Sequence, residues 1–205
     1  MKKTFYIIDD HEMLRSGTSN WITTNSDWHC AGDAGNHQSA LEDLKRLSGQ
    51  NKLPSIVLCD LNFYGENIGL GFIKELNSLY PLLKVVIYSM YFAAGIVNNA
   101  FQNGAKGYVS KNASSSVLLE CMERVLAGDV FIQEELKTSL IKYNQFTDAL
   151  TRREKQVMDL LLQHYSNDQI AASLDIKKRA VENYISLIYE KTGVNDRAEL
   201  LKRFG

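Results

Sequence analysis

The sequence predicts an α/β doubly wound sheet of five parallel strands, followed by a small all-α domain built on a helix-turn-helix. Short apolar runs alternate with amphipathic helical stretches through residue 128, the order of a parallel sheet joined by crossover helices. From Thr151 onward the periodicity is helical throughout, with two of the helices joined by a tight turn. A third observation marks the working end of the sheet. Phe5-Tyr6-Ile7-Ile8 runs into Asp9-Asp10, and Ile56-Val57-Leu58-Cys59 stops at Asp60. In an open parallel sheet, ligands bind beyond the carboxyl ends of the strands, at the switch in strand order.

The elements follow in order. After Asp10, residues Met13, Leu14, Trp21 and Ile22 fit one helical face through about Thr24, and Trp28-His29-Cys30-Ala31-Gly32 reads as the second strand. Leu41, Leu44 and Leu47 give a helix ending near Gly49. The Asp60 strand is bounded by Pro54-Ser55, and the helix after it carries Phe72, Ile73, Leu76 and Leu79 up to Pro81. Val85-Val86-Ile87-Tyr88 is a fourth strand ending at Ser89. A helix over 94–103 leads through Gly104 to a fifth strand, Gly107-Tyr108-Val109, and Val117, Leu118, Cys121, Met122, Val125 and Leu126 form the last helix before Gly128.

Residues 129–148 form a polar linker in which Leu136, Leu140 and Ile141 mark a short helix; lacking Gly/Ser or Pro richness, it reads as structured. The second domain spans 149–205. Thr151-x-x-Glu154 is a capping box opening a helix with Val157, Leu160 and Leu161 inward. A helix over Asn167 to Leu174 follows, then the Asp175-Ile176 turn, then Val181, Ile185, Ile188 and Thr192 at helical spacing up to Gly193. Asn195 is expected to cap a last helix through Leu200 and Leu201.

Composition limits the classes of function. Hydrophobic residues make up 45% and charged residues 23%, values of a soluble globular protein. Residues 1–150 carry 13 Lys and Arg against 16 Asp and Glu, whereas 151–205 carry 10 against 8. An acidic first part and a mildly basic end point to nucleic acid as a partner of the end alone. Cys30, Cys59 and Cys121 lie in apolar stretches without paired spacing, which argues for reduced thiols and against a disulfide or metal framework. With no signal-peptide pattern and no run of membrane-spanning length, a cytoplasmic protein without a membrane partner is expected.

The strand ends assemble a chemistry. Three carboxylates in one crevice repel each other by roughly 4 kcal/mol per pair at ~4 Å and an effective dielectric of ~20. An all-oxygen site of that kind suits Mg2+. Ser89 and Lys111 follow the fourth and fifth strands, placing a hydroxyl and an ammonium beside the acids. The set suits phosphoryl transfer, with Asp60 as nucleophile and the metal, Lys111 and Ser89 meeting the transferred oxygens.

Asp9-Asp10-His11, Asp60, Ser89-Met90-Tyr91 and Gly104-Ala105-Lys106-Gly107-Tyr108-Val109-Ser110-Lys111 resemble the receiver domain of bacterial response regulators, a flavodoxin-like fold. The resemblance implies that Asp60 accepts phosphate from a sensor histidine kinase. It implies that Asp9, Asp10 and Asp60 bind Mg2+ with the backbone carbonyl of Asn62, and that Ser89 and Tyr108 are a switch pair. Such receivers usually read Asp-x-x-Met-Pro before a Gly, whereas this chain has Asp60-Leu61-Asn62-Phe63-Tyr64-Gly65 without the Pro. Their Lys is usually followed by Pro, whereas Asn112 follows Lys111. A cis bond before a non-proline residue costs ~3–4 kcal/mol, so that bond is either trans or held under strain.

Leu150-Thr151-Arg152-Arg153-Glu154, Ser166-Asn167-Asp168-Gln169-Ile170-Ala171, Ala180-Val181-Glu182-Asn183-Tyr184 and Lys191-Thr192-Gly193-Val194-Asn195-Asp196-Arg197 resemble the LuxR-type DNA-binding domain. Together the two resemblances imply a two-component response regulator of the NarL/FixJ type, a phosphoprotein that regulates transcription and dimerises when phosphorylated. Its only catalysis would be its own phosphorylation and dephosphorylation at Asp60. Ala180-Val181-Glu182-Asn183-Tyr184 stands where Thr-Val-Lys-x-His is usual. Helical spacing places Arg179, Glu182, Asn183 and Ser186 opposite the core. Asn183 suits adenine and Glu182 cytosine, while Lys177, Lys178 and Arg179 suit the phosphates of double-stranded DNA. The competing class is a receiver-gated protein-interaction adaptor with weak or no DNA binding, suggested by Glu182 and the small basic excess.

Overall fold

The structure is a computed structural model and describes residues 3–61 and 69–204. Its elements are β1 (Thr4–Ile8), α1 (Glu12–Asn25), β2 (His29–Ala34), α2 (His37–Gly49), β3 (Ile56–Cys59), α3 (Gly69–Leu79), β4 (Lys84–Ser89), α4 (Ala94–Gln102), β5 (Gly107–Ser110), α5 (Ser115–Ala127), β6 (Phe131–Ile132) and α6 (Glu134–Thr147). The helices α7 (Arg152–Leu162), α8 (Asn167–Leu174), α9 (Lys178–Thr192) and α10 (Arg197–Phe204) complete the chain. Two compact units emerge, Met1–Tyr91 with Ala100–Gln133, and Phe92–Asn99 with Glu134–Gly205.

The sheet runs β2-β1-β3-β4-β5-β6, all neighbours parallel. Chain order leaves β1 toward β2 and returns on its other side to β3, so the switch lies between β1 and β3. Ile8 pairs with Cys59 and Ser89 with Ser110, so the residues following each strand end at one level. Alternate strand residues Phe5, Ile7, Ile56, Leu58, Val86 and Val109 pack with Ile22, Trp28, Cys121, Met122 and Val125 in one core. The opposite strand faces, including Tyr6, Ile8, Val57, Val85 and Ile87, are equally buried, as a sheet covered on both sides requires. Cys59 and Cys121 are buried and Cys30 half-buried, all three free thiols.

Gly104 and Gly107 have separate causes. Gly104 turns the chain into β5 at φ +101°, where a side chain would also meet the Asn77 amide. At Gly107 a Cβ would stand 2.6 Å from the Cys121 sulfur, so α5 packs against β5 only over a bare backbone.

The helical unit has its own core of Val157, Met158, Leu161, Ile170, Val181, Ile188, Leu200 and Phe204. Capping boxes open both α7 (Thr151 with Glu154) and α8 (Ser166 with Gln169). Asp175 ends α8 in the left-handed region at φ 51°, making the tight turn into α9. Among the described residues no helix is long and apolar enough to cross a membrane. Every peptide bond among them is trans, Lys111–Asn112 included.

Four expectations need correction. Among the described residues the sheet has six strands, not five: after left-handed Gly128 closes α5, Phe131–Ile132 pairs with β5. Two residues are too short a run to carry an alternation signal. The linker helix is not short but spans 14 residues, and it buries Leu136, Tyr143 and Thr147 while Ile141 stands exposed. On α1 only Ile22 is fully buried; Met13 is 90% exposed, because the first turn starts beyond the end of β1, where no sheet lies beneath it. The cap of α10 is Asp196, whose carboxylate accepts from Glu199 N at 2.8 Å, while Asn195 donates to Glu199.

Candidate functional site

The crevice forms because the sheet ladder continues one residue past its strands. Asp60 N donates to Ile8 O at 2.9 Å, and Lys111 N to Ser89 O at 2.9 Å, so the ends of β1, β3, β4 and β5 are tied together. Asp60 is 4% exposed, Asp9 2% and Ser89 fully buried. Ser89 Oγ donates to Asp60 Oδ1 at 2.6 Å, as does Leu61 N at 2.6 Å. Lys111 Nζ lies 2.5 Å from Asp60 Oδ2 and 2.7 Å from Asp9 Oδ2, with its side chain 5% exposed. Burial opposes the Lys111 charge, but the bonds to Asp60 and Asp9 outweigh it and leave its pKa above the ordinary lysine value. It is an ammonium at any physiological pH.

Charge counting tests the fit of a metal. Asp9, Asp10 and Asp60 bring three negative charges and Lys111 one positive, a deficit of two that a divalent cation balances. Ligand atoms of Asp9, Asp10 and His11 lie within 4.8 Å of one another. His11 N donates to Asp9 Oδ1 at 3.0 Å, and His11 Nδ1 lies 2.7 Å from Asp10 Oδ1. The carboxylate oxygens fit Mg2+. Asn62, expected to add a carbonyl, lies outside the described residues.

Tyr108 is buried, and its hydroxyl donates to the carbonyl of Tyr91, two residues beyond Ser89. Burial, ahead of the Asp60 charge, pushes its phenol well above the ordinary value. The two expected switch residues thus hold the strand end and the loop that follows it.

Two contributors escaped the sequence reading. Arg15 Nη1 donates to the carbonyl of Asp9 at 2.6 Å, while its Nε donates to Asp33 Oδ2 at 2.8 Å. Its only sequence signal is its place one helical turn after His11. Gln133 Oε1 accepts from Ser110 N at 2.9 Å, directly before Lys111, and nothing in the sequence marks it.

In the helical unit, Lys177, Lys178, Arg179, Glu182, Asn183 and Ser186 are all exposed, on one end and one face of α9. Lys177 is the N-cap residue, so three cations surround the positive end of a helix dipole, a setting for anions. Lys178 Nζ is engaged by Asp168 Oδ2 at 2.9 Å, and Ser186 Oγ donates to Glu182 O at 3.1 Å. The capping residue of α7 also fixes α9: buried Glu154 receives Lys191 Nζ at 2.8 Å on both oxygens. Burial opposes the Glu154 charge, but Lys191 and the Thr151 N–H outweigh it and hold its carboxyl below the usual range.

Residues 5–123 match the model of the response regulator receiver domain, and 148–204 that of bacterial regulatory proteins of the luxR family. The transcriptional activator protein ExaE of Pseudomonas putida is 32% identical over 203 residues, spanning 95% of this chain and 92% of the relative. The nitrate/nitrite response regulator protein NarL of Escherichia coli K12 is 29% identical over 204 residues, spanning 96% and 92%. Among solved structures, RcsB in two dimers bound to two parallel DNAs gives a TM-score of 0.68 at 19% identity, covering 99% of this chain and 98% of the other. RcsB of Salmonella enterica serovar Typhimurium, bound to promoter P1flhDC with the phosphomimetic BeF3-, gives 0.70 at 18% identity, covering 99% and 98%. At such identities the structures show a shared fold.

Proposed function

The chain belongs to the bacterial response regulators of the NarL/FixJ type, and from that premise we propose that phosphorylation of Asp60 controls its dimerisation and its binding to specific DNA. The receiver would span 1–128, the linker 129–148 and the DNA-binding domain 149–205. The observation that carries the reading is the buried Asp60 carboxylate, held by Ser89 and Lys111 within a group of side chains that carries two uncompensated negative charges.

Asp60 attacks the phosphohistidine of a sensor histidine kinase. The P–N bond breaks as the P–O bond to Asp60 forms, and hydrolysis of the acyl phosphate restores the carboxylate. When bound, Mg2+ would be held by Asp9, Asp10 and Asp60, with the Asn62 carbonyl as the further ligand the resemblance implies, and would supply charge neutralisation at the transferred oxygens. Lys111 turns to the phosphoryl group, and Ser89 donates to one of its oxygens. Ser89 leaves its bond to Asp60 in doing so, and Tyr108, tied to Tyr91 in the loop beyond, shifts with it; this favours one state of an existing equilibrium. The protein catalyses nothing beyond gain and loss of its own phosphate, and it acts in the cytoplasm.

In the DNA complex Lys177, Lys178 and Arg179 hold phosphates while Glu182, Asn183 and Ser186 face base edges. A two-fold pair of such units needs half-sites about one DNA turn apart. The RcsB dimers on DNA support this arrangement by likeness of fold.

A second reading, the interaction adaptor, is favoured by the exposed carboxylate of Glu182 and by the engagement of Lys178 with Asp168. One experiment tests both. Wild type and Asp60→Ala are treated with acetyl phosphate and Mg2+ and used in selection from a DNA-fragment pool. Acid-labile phosphate and enriched fragments are expected for wild type with Mg2+, and neither for Asp60→Ala or after chelation. Undiminished labelling of Asp60→Ala would sink the phosphoacceptor. Fragment binding without a salt dependence near −0.9 in log–log slope per contacted phosphate would favour the adaptor.

A further inference from the structure

Arg15 has no role in the phosphoryl transfer proposed above, yet its side chain is 14% exposed and reaches from α1 to the backbone of Asp9. Three contacts seat it. Nη1 donates to the main-chain carbonyl of Asp9 at 2.6 Å, Nε donates to Asp33 Oδ2 at 2.8 Å, and Gly35 leaves room beside it, since a Cβ there would stand 3.2 Å from Nη1. Asp33 is the residue paired with Ile7 across the β1–β2 ladder, and Asp9 N itself donates to Ala34 O at 3.1 Å. The guanidinium therefore closes the point where both strands end.

The carbonyl it holds belongs to the peptide joining Asp9 to Asp10. That unit is a rigid plane, so fixing its oxygen fixes ψ of Asp9 and φ of Asp10 together. Both acidic ligands hang from the ends of this plane. We infer that Arg15 is a positioning residue of the metal site: by clamping the Asp9–Asp10 peptide against β2 it sets the directions of both carboxylates before the cation arrives. The inference rests on the metal assignment proposed above.

The sign of the effect separates positioning from charge. A cation beside acidic ligands weakens binding of a dication, so if Arg15 acted through its charge alone, neutralising it would tighten Mg2+. If it positions, neutralising it weakens Mg2+, and keeping the charge on a lysine does not rescue, because a single ammonium lacks the planar fork that reaches the carbonyl and Asp33 at once. Partners that orient metal ligands typically matter by ~10–100-fold in affinity.

The test is calorimetric titration of the full-length, unphosphorylated chain with MgCl2, for wild type, Arg15→Lys, Arg15→Gln and Asp33→Asn, with urea unfolding run in parallel. Both Arg15 variants are expected to bind Mg2+ about tenfold more weakly, and Asp33→Asn to lose less, because the bond to the Asp9 carbonyl survives. Arg15→Gln that binds as tightly as wild type, or more tightly, overturns the inference and leaves the metal assignment standing. Failure of wild type itself to bind overturns both. Should Arg15→Gln not fold, Arg15→Lys decides alone: wild-type affinity in that variant overturns the inference, and a tenfold loss supports it.

Discussion

Asp60, Ser89 and Lys111 are buried and bonded to one another, whereas Lys177, Arg179, Glu182 and Asn183 stand exposed on α9 or at its start. In the crevice the fold and the function use the same bonds. A buried charge must be paired, so Lys111 between Asp9 and Asp60 is the counter-charge that lets the unit fold and, in the proposed function, also the group that meets a phosphoryl oxygen. On α9 the fold rests on Val181, Ile188 and Thr192, and the outward residues proposed to meet DNA carry none of that packing. The first arrangement constrains its residues from within the molecule, and the second from outside it.

The sharpest way to break that contrast is to remove a cation from each region. Lys111→Met leaves two buried carboxylates facing each other, and loss of one member of a buried charge cluster costs ~3–5 kcal/mol. Urea unfolding without Mg2+ should show a loss of that order, and added Mg2+ should restore part of it by replacing the missing positive charge. Lys178→Ala, by contrast, should unfold as wild type does, since its pair with Asp168 is solvated. Equal effects at the two positions would erase the distinction.

The same contrast explains what the sequence disclosed. Asp9, Asp10 and Asp60 were legible because an apolar strand ending in a carboxylate is a pattern on the chain itself, and Ser89 and Lys111 because they follow the next two strands. Arg15 and Gln133 were not, because each acts on a backbone group of a distant segment, the Asp9 carbonyl and the Ser110 N–H. No spacing encodes such a meeting. β6 leaves no mark on the sequence because two residues carry no periodicity, and the length of α6 is hidden because its buried positions, Leu136, Tyr143 and Thr147, include a phenol and a hydroxyl that break the apolar pattern.

A half-buried carboxylate in the helical unit sharpens the comparison from the other side. Asp159 accepts from the Tyr143 hydroxyl at 2.5 Å but, among the described residues, has no contact ion pair like that of Asp60. Burial, opposed by the Tyr143 bond and the more distant Lys155 charge, raises its pKa from 3.8 to about 6. The folded state therefore binds more protons than the unfolded state between those values. Stability falls as pH rises from about 4 to about 6 and is level above. A shift of two units is worth at most ~3 kcal/mol, and partial exposure of Asp159 reduces this to ~1–2. Asp159→Asn, whose amide oxygen still accepts from Tyr143, should remove the slope and stabilise the unit at pH 7 by that amount. Native-state hydrogen exchange of α7 amides, corrected for intrinsic rates, would report it; an unchanged slope would show that Asp159 is solvated as freely as the residues of the α9 face.

The smallest effect expected is at Glu182, and it bears on the exposed region alone. A carboxylate on the outward face of α9, one residue from Asn183 and four from Ser186, repels phosphates if the helix lies in a groove. Its presence is reconciled with DNA binding when it accepts from cytosine N4, trading affinity for choice of base. That is one hydrogen bond rather than a bidentate pair, so its worth lies near ~1 kcal/mol, the low end for a base contact. Glu182→Ala should accordingly lose about that much discrimination at a single base pair, while its affinity for unrelated DNA holds or rises, because an anion near the phosphates has gone. If α9 does not enter DNA, neither quantity moves. The three cations at the helix start favour base reading, since Lys177, Lys178 and Arg179 lie where the flanking phosphates would be. Binding of Glu182→Ala to an operator mutated at each position separates the outcomes. A preference profile identical to that of wild type, with no base pair relaxed, would remove Glu182 from the reading face.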